Sequence, residues 1–150
     1  MPDAIEILLV EDNPADAELT IHALQKSKLV NHIRHLQDGA EALDFLFCRG
    51  SYSARSFDAP PRLILLDLKL PKVDGLGVLE QIKSDIRTKA IPVILLTSSK
   101  EERDVATSYQ LGVNSYIQKP VNFTELQDVV RHLGMYWLIV NSKPPASAFS

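Results

Sequence analysis

The sequence has little of what several protein classes require. Cys48 is the only cysteine among 150 residues, so no intramolecular disulfide can form, which suits a reducing compartment. No apolar run approaches the roughly 18–20 residues that a membrane span needs, and the N-terminal residues lack the basic and apolar segments of a secretory signal. We therefore expect a cytoplasmic protein with no membrane partner.

The chain also lacks an excess of positive charge. Lys and Arg number 16 against 19 Asp and Glu, which gives a formal net charge of -3 and no general attraction to a polyanion such as nucleic acid. The absence of a glycine loop ending in Gly-Lys-Ser/Thr excludes a P-loop nucleotidase. The histidines lack the spacing of a zinc site, and an ordinary surface position is expected for His22, His32, His35 and His132.

Short apolar runs alternate with amphipathic segments along most of the chain. The predicted strands are residues 5–10, 33–37, 62–67, 91–96 and 116–118, and the predicted helices begin near residues 14, 39, 76, 100 and 122. Residues 50–61, with Gly, Ser and a Pro pair, are predicted to form an exposed loop. This alternation predicts a flavodoxin-like α/β fold: a doubly wound parallel sheet with strand order 2-1-3-4-5 and an extended last helix.

The same pattern sets the expected domain organisation. We predict one folded domain over residues 1–141, since a chain of this size buries a single core and shows no internal repeat. Residues 142–150 contain a Pro pair and three serines and are predicted to be a flexible tail.

Polar side chains stand where four of the predicted strands end. Glu11 and Asp12 follow the first strand, Asp67 ends the third, Thr97 follows the fourth and Lys119 follows the fifth. Ligands of open parallel sheets bind at the carboxyl ends of the strands, where the strand order reverses. Asp12 and Asp67 are therefore predicted to face each other across one crevice.

Three carboxylates in one crevice need a cation, because they repel and raise one another's pKa. Oxygen-only ligands suit Mg²⁺, and one such ion together with Lys119 would balance the formal charge of Glu11, Asp12 and Asp67. A phosphoryl group on Asp67 would then meet the metal, the ammonium of Lys119 and the hydroxyl of Thr97. The pattern indicates phosphoryl transfer to a carboxylate.

Four motifs carry a resemblance to a known family. VEDN (10–13), LLDLKLPKVDG (65–75), LLTSS (95–99) and SYIQKP (115–120) resemble, in this order, the CheY-like receiver domain of two-component response regulators. The resemblance implies that Asp67 accepts a phosphoryl group from a phosphohistidine of a sensor histidine kinase. It also implies a phosphoacceptor switch that assists its own phosphotransfer and dephosphorylation, and not an enzyme.

The resemblance assigns roles to the site residues. Asp12, Asp67 and the backbone carbonyl of Lys69 would hold Mg²⁺, with Glu11 acting partly through water. Thr97 and Lys119 would contact the phosphoryl oxygens. Thr97 would also act as a switch together with Tyr116, the match to the family's switch aromatic, which turns inward when the threonine moves.

A narrower resemblance connects the chain to the small cyanobacterial phytochrome-associated response regulators. It depends on the long loop before the third strand, the segment KLPKVDGLGVLEQIK and the ending GMYWLIVN. It implies a phytochrome as the kinase, and a receiver that has no output domain and signals through protein contacts.

The end of the last predicted helix is apolar on every side. One buried face does not require this, and surplus apolar surface on a soluble domain marks an interface. We predict a two-fold homodimer through Met135, Tyr136, Trp137 and Ile139. The alternative is that this segment folds back onto its own domain.

Two other functions remain open at this stage. An aspartyl-phosphate phosphohydrolase of haloacid-dehalogenase type also uses a carboxylate nucleophile at a strand end, but it carries a second Asp two residues on, where this chain has Lys69. A flavodoxin-like cofactor binder shares the predicted topology. Its phosphate loop would be rich in glycine and hydroxyl groups, whereas residues 11–14 are acidic.

Overall fold

The computed structural model describes residues 7–26, 32–98, 107–119 and 122–140, and for residues 130 and 133–140 the backbone only. The predicted tail, 142–150, lies outside the described residues. So does most of the predicted fourth helix, of which residues 107–110 are described and helical (α4). Among the described residues, no helix has the length and hydropathy that crossing a membrane requires.

The five predicted strands pair in parallel as one sheet. They are β1 (Ile7–Val10), β2 (Ile33–Leu36), β3 (Leu63–Asp67), β4 (Val93–Thr97) and β5 (Ser115–Gln118). Their order is β2-β1-β3-β4-β5, which confirms the predicted topology. The order reverses between β1 and β3, where Val10 pairs with Leu66, so the carboxyl ends of these two central strands lie side by side.

Helices connect the strands and cover both faces of the sheet. They are α1 (Pro14–Gln25), α2 (Gly39–Leu46), α3 (Gly75–Ser84) and α5 (Phe123–Val140). The first three begin at side-chain caps: Asn13 accepts from the Ala15 and Asp16 amides, Asp38 from Glu41 and Asp74 from Gly77. Helix α5 extends to Val140, as predicted. The side chains of the predicted dimer contact, Met135, Tyr136, Trp137 and Ile139, lie outside the described residues.

Strand side chains alternate between two apolar layers. Leu8 and Leu66 point toward α2 and α3, whereas Leu9, Leu65 and Ile94 point toward α1 and α5. The central strands β1, β3 and β4 are buried along their whole lengths, as expected for parallel strands with helices on both faces. This rigid centre fixes the backbone from which the polar strand ends project.

The loop after β3 folds back onto the end of that strand. The Gly75 amide donates to the Leu68 carbonyl at 2.7 Å. A Cβ at Gly75 would lie 2.2 Å from the Asp67 carbonyl oxygen, a distance that no side chain tolerates. Glycine is therefore required where the first residue of α3 presses against the backbone of Asp67.

The segment predicted as an exposed loop is anchored to the core. Gly50–Tyr52 forms a turn of 3₁₀ helix, and the Tyr52 ring packs edge-on against Phe45 with centroids 5.1 Å apart. The Tyr52 hydroxyl donates to Glu41 at 2.8 Å, and the Arg55 guanidinium lies 3.7 Å from the Phe45 ring centroid. The prediction missed this order, because isolated aromatic and arginine side chains hold the segment without any regular period.

Candidate functional site

The polar residues predicted from the strand ends converge at one edge of the sheet. Glu11 and Asp12 follow β1, Asp67 and Thr97 are the last residues of β3 and β4, and Lys119 directly follows β5. Backbone hydrogen bonds hold these ends together: the Leu68 amide donates to Leu96, and the Lys119 amide donates to Thr97 at 2.7 Å.

Lys119 occupies the centre of this cluster. Its Nζ lies 2.5 Å from Glu11 Oε1 and 2.9 Å from Asp67 Oδ2. The Glu11 side chain is fully buried and that of Asp67 is 8% exposed. Because little water reaches these groups, the ammonium is the main compensation that the described residues offer for the two carboxylates.

Asp16 is a member of the cluster that sequence reasoning missed. Its Oδ2 lies 3.1 Å from Lys119 Nζ, although the two residues are 103 positions apart in the sequence. Asp16 lies in the first turn of α1, where an acidic residue is ordinarily explained by its favourable interaction with the helix dipole. The available signal was its position two residues after Pro14, since the start of α1 lies beside the end of β1.

Three carboxylates form a group that fits a divalent cation. Glu11, Asp12 and Asp67 each offer an oxygen, and these oxygens lie within 4.8 Å of one another. Asp12 is exposed, so a cation can reach the group from solvent. The donors are all oxygen and carry three formal negative charges against the single charge of Lys119, which favours a hard cation such as Mg²⁺ or Mn²⁺.

Lys69 contributes its backbone to the same edge. Its amide donates to Asp67 Oδ1 at 3.2 Å, which orients the carboxylate, and the residue lines an open cleft together with Asp12. The predicted metal contact of its carbonyl oxygen stays a prediction.

The cluster shifts the pKa values of Glu11 and Lys119. Burial, followed by the neighbouring Asp67 carboxyl, raises the pKa of Glu11 to about 7, although Lys119 and the Asn13 amide act in the opposite direction. Burial lowers the pKa of Lys119, but hydrogen bonds and charge from Glu11 and Asp67 outweigh it, so this pKa lies above its usual value. Lys119 is therefore an ammonium at neutral pH, and Glu11 is close to its titration point.

His35 supports the site from β2. Its Nε2 lies 2.8 Å from the Glu11 carbonyl oxygen, so this nitrogen carries the hydrogen. The expectation of an ordinary surface histidine was wrong for His35, which is half-buried. This contact could not be predicted, because a single histidine in a strand does not indicate which carbonyl its ring contacts across the sheet.

Thr97 and Tyr116, the predicted switch pair, lie in different environments. Thr97 is buried, with 1% of its surface exposed, whereas Tyr116 is 37% exposed. The Tyr116 ring packs edge-on against Tyr109 of α4, with centroids 6.2 Å apart. Tyr116 thus lies on the outer surface of β5 and α4.

Comparison with known proteins identifies the class that this fold and site define. A family model described as the response regulator receiver domain matches residues 7–131. The chain belongs to this family, whose members are signalling switches. The predicted CheY-like receiver is thereby confirmed.

Two curated relatives match nearly the whole chain. "Probable methanogenesis regulatory protein FilR2" of Methanothrix harundinacea is 44% identical over 95% of this chain and 89% of its own length. "Response regulator Rcp1" of Synechocystis is 43% identical over 93% of each chain.

Solved structures place the chain beside phytochrome-associated regulators. Bacteriophytochrome response regulator RtBRR is 49% identical, with a TM-score of 0.80 over 98% of this chain and 88% of its own. The Mn²⁺-bound form of Rcp1 gives a TM-score of 0.76 at 41% identity over 93% and 99%. The phosphorylated cyanobacterial phytochrome response regulator RcpA gives 0.75 at 41% identity over 96% and 100%. These likenesses confirm the narrower resemblance to phytochrome-associated regulators.

Proposed function

We propose that the chain is a response regulator receiver in which Asp67 accepts a phosphoryl group from a sensor histidine kinase. The observation that carries this proposal is the 2.9 Å contact between Asp67 Oδ2 and Lys119 Nζ inside a cluster of cation-binding carboxylates. The Asp67 carboxylate has an ammonium beside it and belongs to a group of three carboxylates, with Glu11 and Asp12, that could hold a metal ion. This is the arrangement that stabilises charge on a transferring phosphoryl group.

The proposed reaction has a simple balance of bonds. An oxygen of Asp67 forms a bond to the phosphorus of a phosphohistidine, and the phosphorus–nitrogen bond breaks with its electron pair going to the imidazole, which takes up a proton. In dephosphorylation, water attacks the phosphorus and the Asp67 carboxylate leaves. We propose that the chain assists both steps itself.

The other site residues have supporting roles in this proposal. Asp12, Asp67 and the Lys69 carbonyl would hold Mg²⁺, with Glu11 acting partly through water. The ion would neutralise the negative charge of the phosphoryl oxygens. Lys119 and the Thr97 hydroxyl would donate hydrogen bonds to the same oxygens.

Output would pass through the surface of β5 and α4. Movement of Thr97 toward the phosphoryl group would leave space behind it, and Tyr116 would turn from its contact with Tyr109 into that space. The receiver would then present this altered surface to a protein partner.

The phosphohydrolase alternative is less well supported. The matching family is one of switches, and the residue two positions after Asp67 is Lys69, which cannot serve as the carboxylic acid that such a phosphatase uses.

The flavodoxin-like alternative is disfavoured by charge. The acidic segment 11–14 would repel the phosphate of a flavodoxin-type cofactor.

The intact mass of the purified chain tests the proposed function. Acetyl phosphate with Mg²⁺ is expected to add one phosphoryl group to the wild-type protein, and EDTA is expected to prevent it. Asp67→Asn should gain none, whereas Asp58→Asn, which changes an exposed aspartate outside the site, should behave as wild type. Equal labelling of the Asp67→Asn and wild-type proteins would contradict the proposal.

A phytochrome is the proposed kinase, because the similar structures include regulators named for phytochromes. Phosphotransfer from a phytochrome histidine kinase should be faster than from a histidine kinase without a phytochrome module. Because FilR2, a relative of comparable identity, is named for methanogenesis, a kinase of another kind is the alternative. Equal rates from both kinases would overturn the phytochrome assignment and leave the receiver role intact.

A homodimer through the last helix is the remaining part of the proposal. Light scattering at micromolar concentration should give twice the mass of the chain, and Trp137→Glu should give the monomer mass, because a charge would be buried in an apolar contact. A monomeric wild-type protein, with or without phosphorylation, would contradict it.

A further inference from the structure

The Lys119 ammonium contacts a third carboxylate, that of Asp16, for which the proposed phosphotransfer has no role. Lys119 Nζ lies 3.1 Å from Asp16 Oδ2, in addition to its contacts with Glu11 and Asp67. The ammonium donates hydrogen bonds to Asp16 and Asp67 and forms an ion pair with Glu11, so three carboxylates already engage it.

A phosphoryl group on Asp67 would compete for this ammonium. It converts the Asp67 carboxylate into a group with additional acceptor oxygens and more negative charge, and Lys119 would turn fully toward these oxygens only by loosening its contacts with Glu11 or Asp16. Withdrawal from Glu11, whose side chain is fully buried, would leave a buried carboxylate without its cation or force it to take up a proton. The Asp16 side chain is 38% exposed, so water can replace the ammonium there at little cost.

We propose that Asp16 is a positioning residue that holds Lys119 in the unphosphorylated protein and releases it when Asp67 is phosphorylated. This inference rests on the proposed phosphoacceptor role of Asp67. Asp16 competes with the phosphoryl group for one ammonium, and its negative charge opposes the approach of an anionic phosphodonor. The ion pair therefore favours the unphosphorylated state and links the first turn of α1 to the state of the site.

Asp16→Asn tests this role, because it removes the charge and keeps the shape of the side chain. With acetyl phosphate and saturating Mg²⁺, followed by intact mass, we expect the initial rate of phosphorylation to rise by about two- to fivefold, the range that a partly exposed ion pair supports. Asp16→Glu restores the charge and should return the rate toward the wild-type value. An Asp16→Asn rate equal to or below that of the wild type would overturn the inference.

Glu18→Gln is the matched control, since Glu18 is an exposed acid of the same helix. This variant should be phosphorylated at the wild-type rate. A rate increase as large as that of Asp16→Asn would overturn the inference, because the effect would then come from net charge and not from the contact with Lys119. The ¹⁵N signal of the Lys119 ammonium provides a readout that a purely structural role would not move. It should shift in Asp16→Asn and, in the same direction, on phosphorylation of the wild type; an unchanged signal would overturn the role.

The two proposals fail in distinguishable ways. If the wild-type protein gains a phosphoryl group and Asp16→Asn is phosphorylated at the wild-type rate, the proposed role of Asp16 is wrong and that of Asp67 is retained. If the wild-type protein gains none, both fall together.

Discussion

Asp67 and Lys119 are joined by a 2.9 Å hydrogen bond across 52 residues of sequence. Both residues are held in place by the sheet: Asp67 is the last residue of β3, and Lys119 directly follows β5. The sheet therefore fixes their separation. Its parallel strands bring an acceptor carboxylate and a permanent cation to the same edge before any ligand arrives.

Loss of the Lys119 charge should destabilise the fold. Lys119→Met leaves the buried Glu11 and Asp67 side chains without their cation, and we expect the free energy of unfolding at pH 7 to fall by about 2 kcal/mol, limited because Glu11 can take up a proton. Urea unfolding measures the change. Lys69→Met makes the same chemical change at an exposed residue and should stay within about 0.5 kcal/mol of the wild type. Equal losses in the two variants would contradict the buried ion pair.

The metal-free protein should lose stability between pH 6 and pH 8. The pKa of Glu11 is about 7 in the fold against an ordinary 4.5, so the folded state holds this proton more tightly than the unfolded chain. Such a group stabilises the fold at low pH, and the contribution falls as the pH rises through 7. Integration gives a loss of about 1 kcal/mol over this range. Unfolding midpoints in EDTA should show it, and Glu11→Gln should remove most of the slope.

Metal affinity should follow the opposite pH trend. A divalent cation competes with the Glu11 proton, so Mg²⁺ should bind more tightly at pH 8 than at pH 6, as measured by its effect on the unfolding midpoint. Asp12→Asn should weaken binding by at least about tenfold, since even outer contacts of metal sites matter that much. Glu18→Gln, which removes an acid outside the cluster, should leave the affinity unchanged. If Mg²⁺ raises the unfolding midpoint of Asp12→Asn as much as that of the wild type, the metal binds at another site.

Two glycines of α3 should respond differently to a methyl group. Gly75→Ala would bring Cβ to 2.2 Å from the Asp67 carbonyl oxygen, and the loop can relieve this only by moving away from the site. We expect a loss of about 2–3 kcal/mol together with slower phosphorylation. Gly77→Ala meets only side-chain atoms, at 3.1 Å and beyond, and alanine favours a helix. Denaturant unfolding should find Gly77→Ala at least as stable as the wild type, and the reverse ranking would contradict this account of the loop.

The convergence of Asp12, Asp67 and Lys119 could be predicted because it follows from topology alone. Apolar runs mark the strands, and in a parallel sheet all of them end at the same edge, so the polar residues that follow the strands near the reversal of strand order lie close together. Glu11 followed from the same argument. The full burial of its side chain could not be predicted, because burial depends on how the surrounding elements pack in three dimensions.

Asp16, His35 and the anchored loop show where sequence reasoning ends. The contact of Asp16 with Lys119 depends on the rotation of α1 about its axis, and that of His35 with the Glu11 carbonyl on the register between β1 and β2. Residues 50–61 are ordered by single side chains such as Tyr52 and Arg55 on Phe45. None of these features has a period, so a search for periodic patterns passes over them.

Chemical trapping of the acceptor residue tests the central claim most directly. Borohydride reduces an acyl phosphate to an alcohol, so treatment of the phosphorylated protein, digestion and peptide mass analysis identify the carboxylate that held the phosphoryl group. The account predicts homoserine at position 67 and unmodified carboxyl groups at Glu11, Asp12 and Asp16. Reduction at any of those three positions, with position 67 intact, would contradict it.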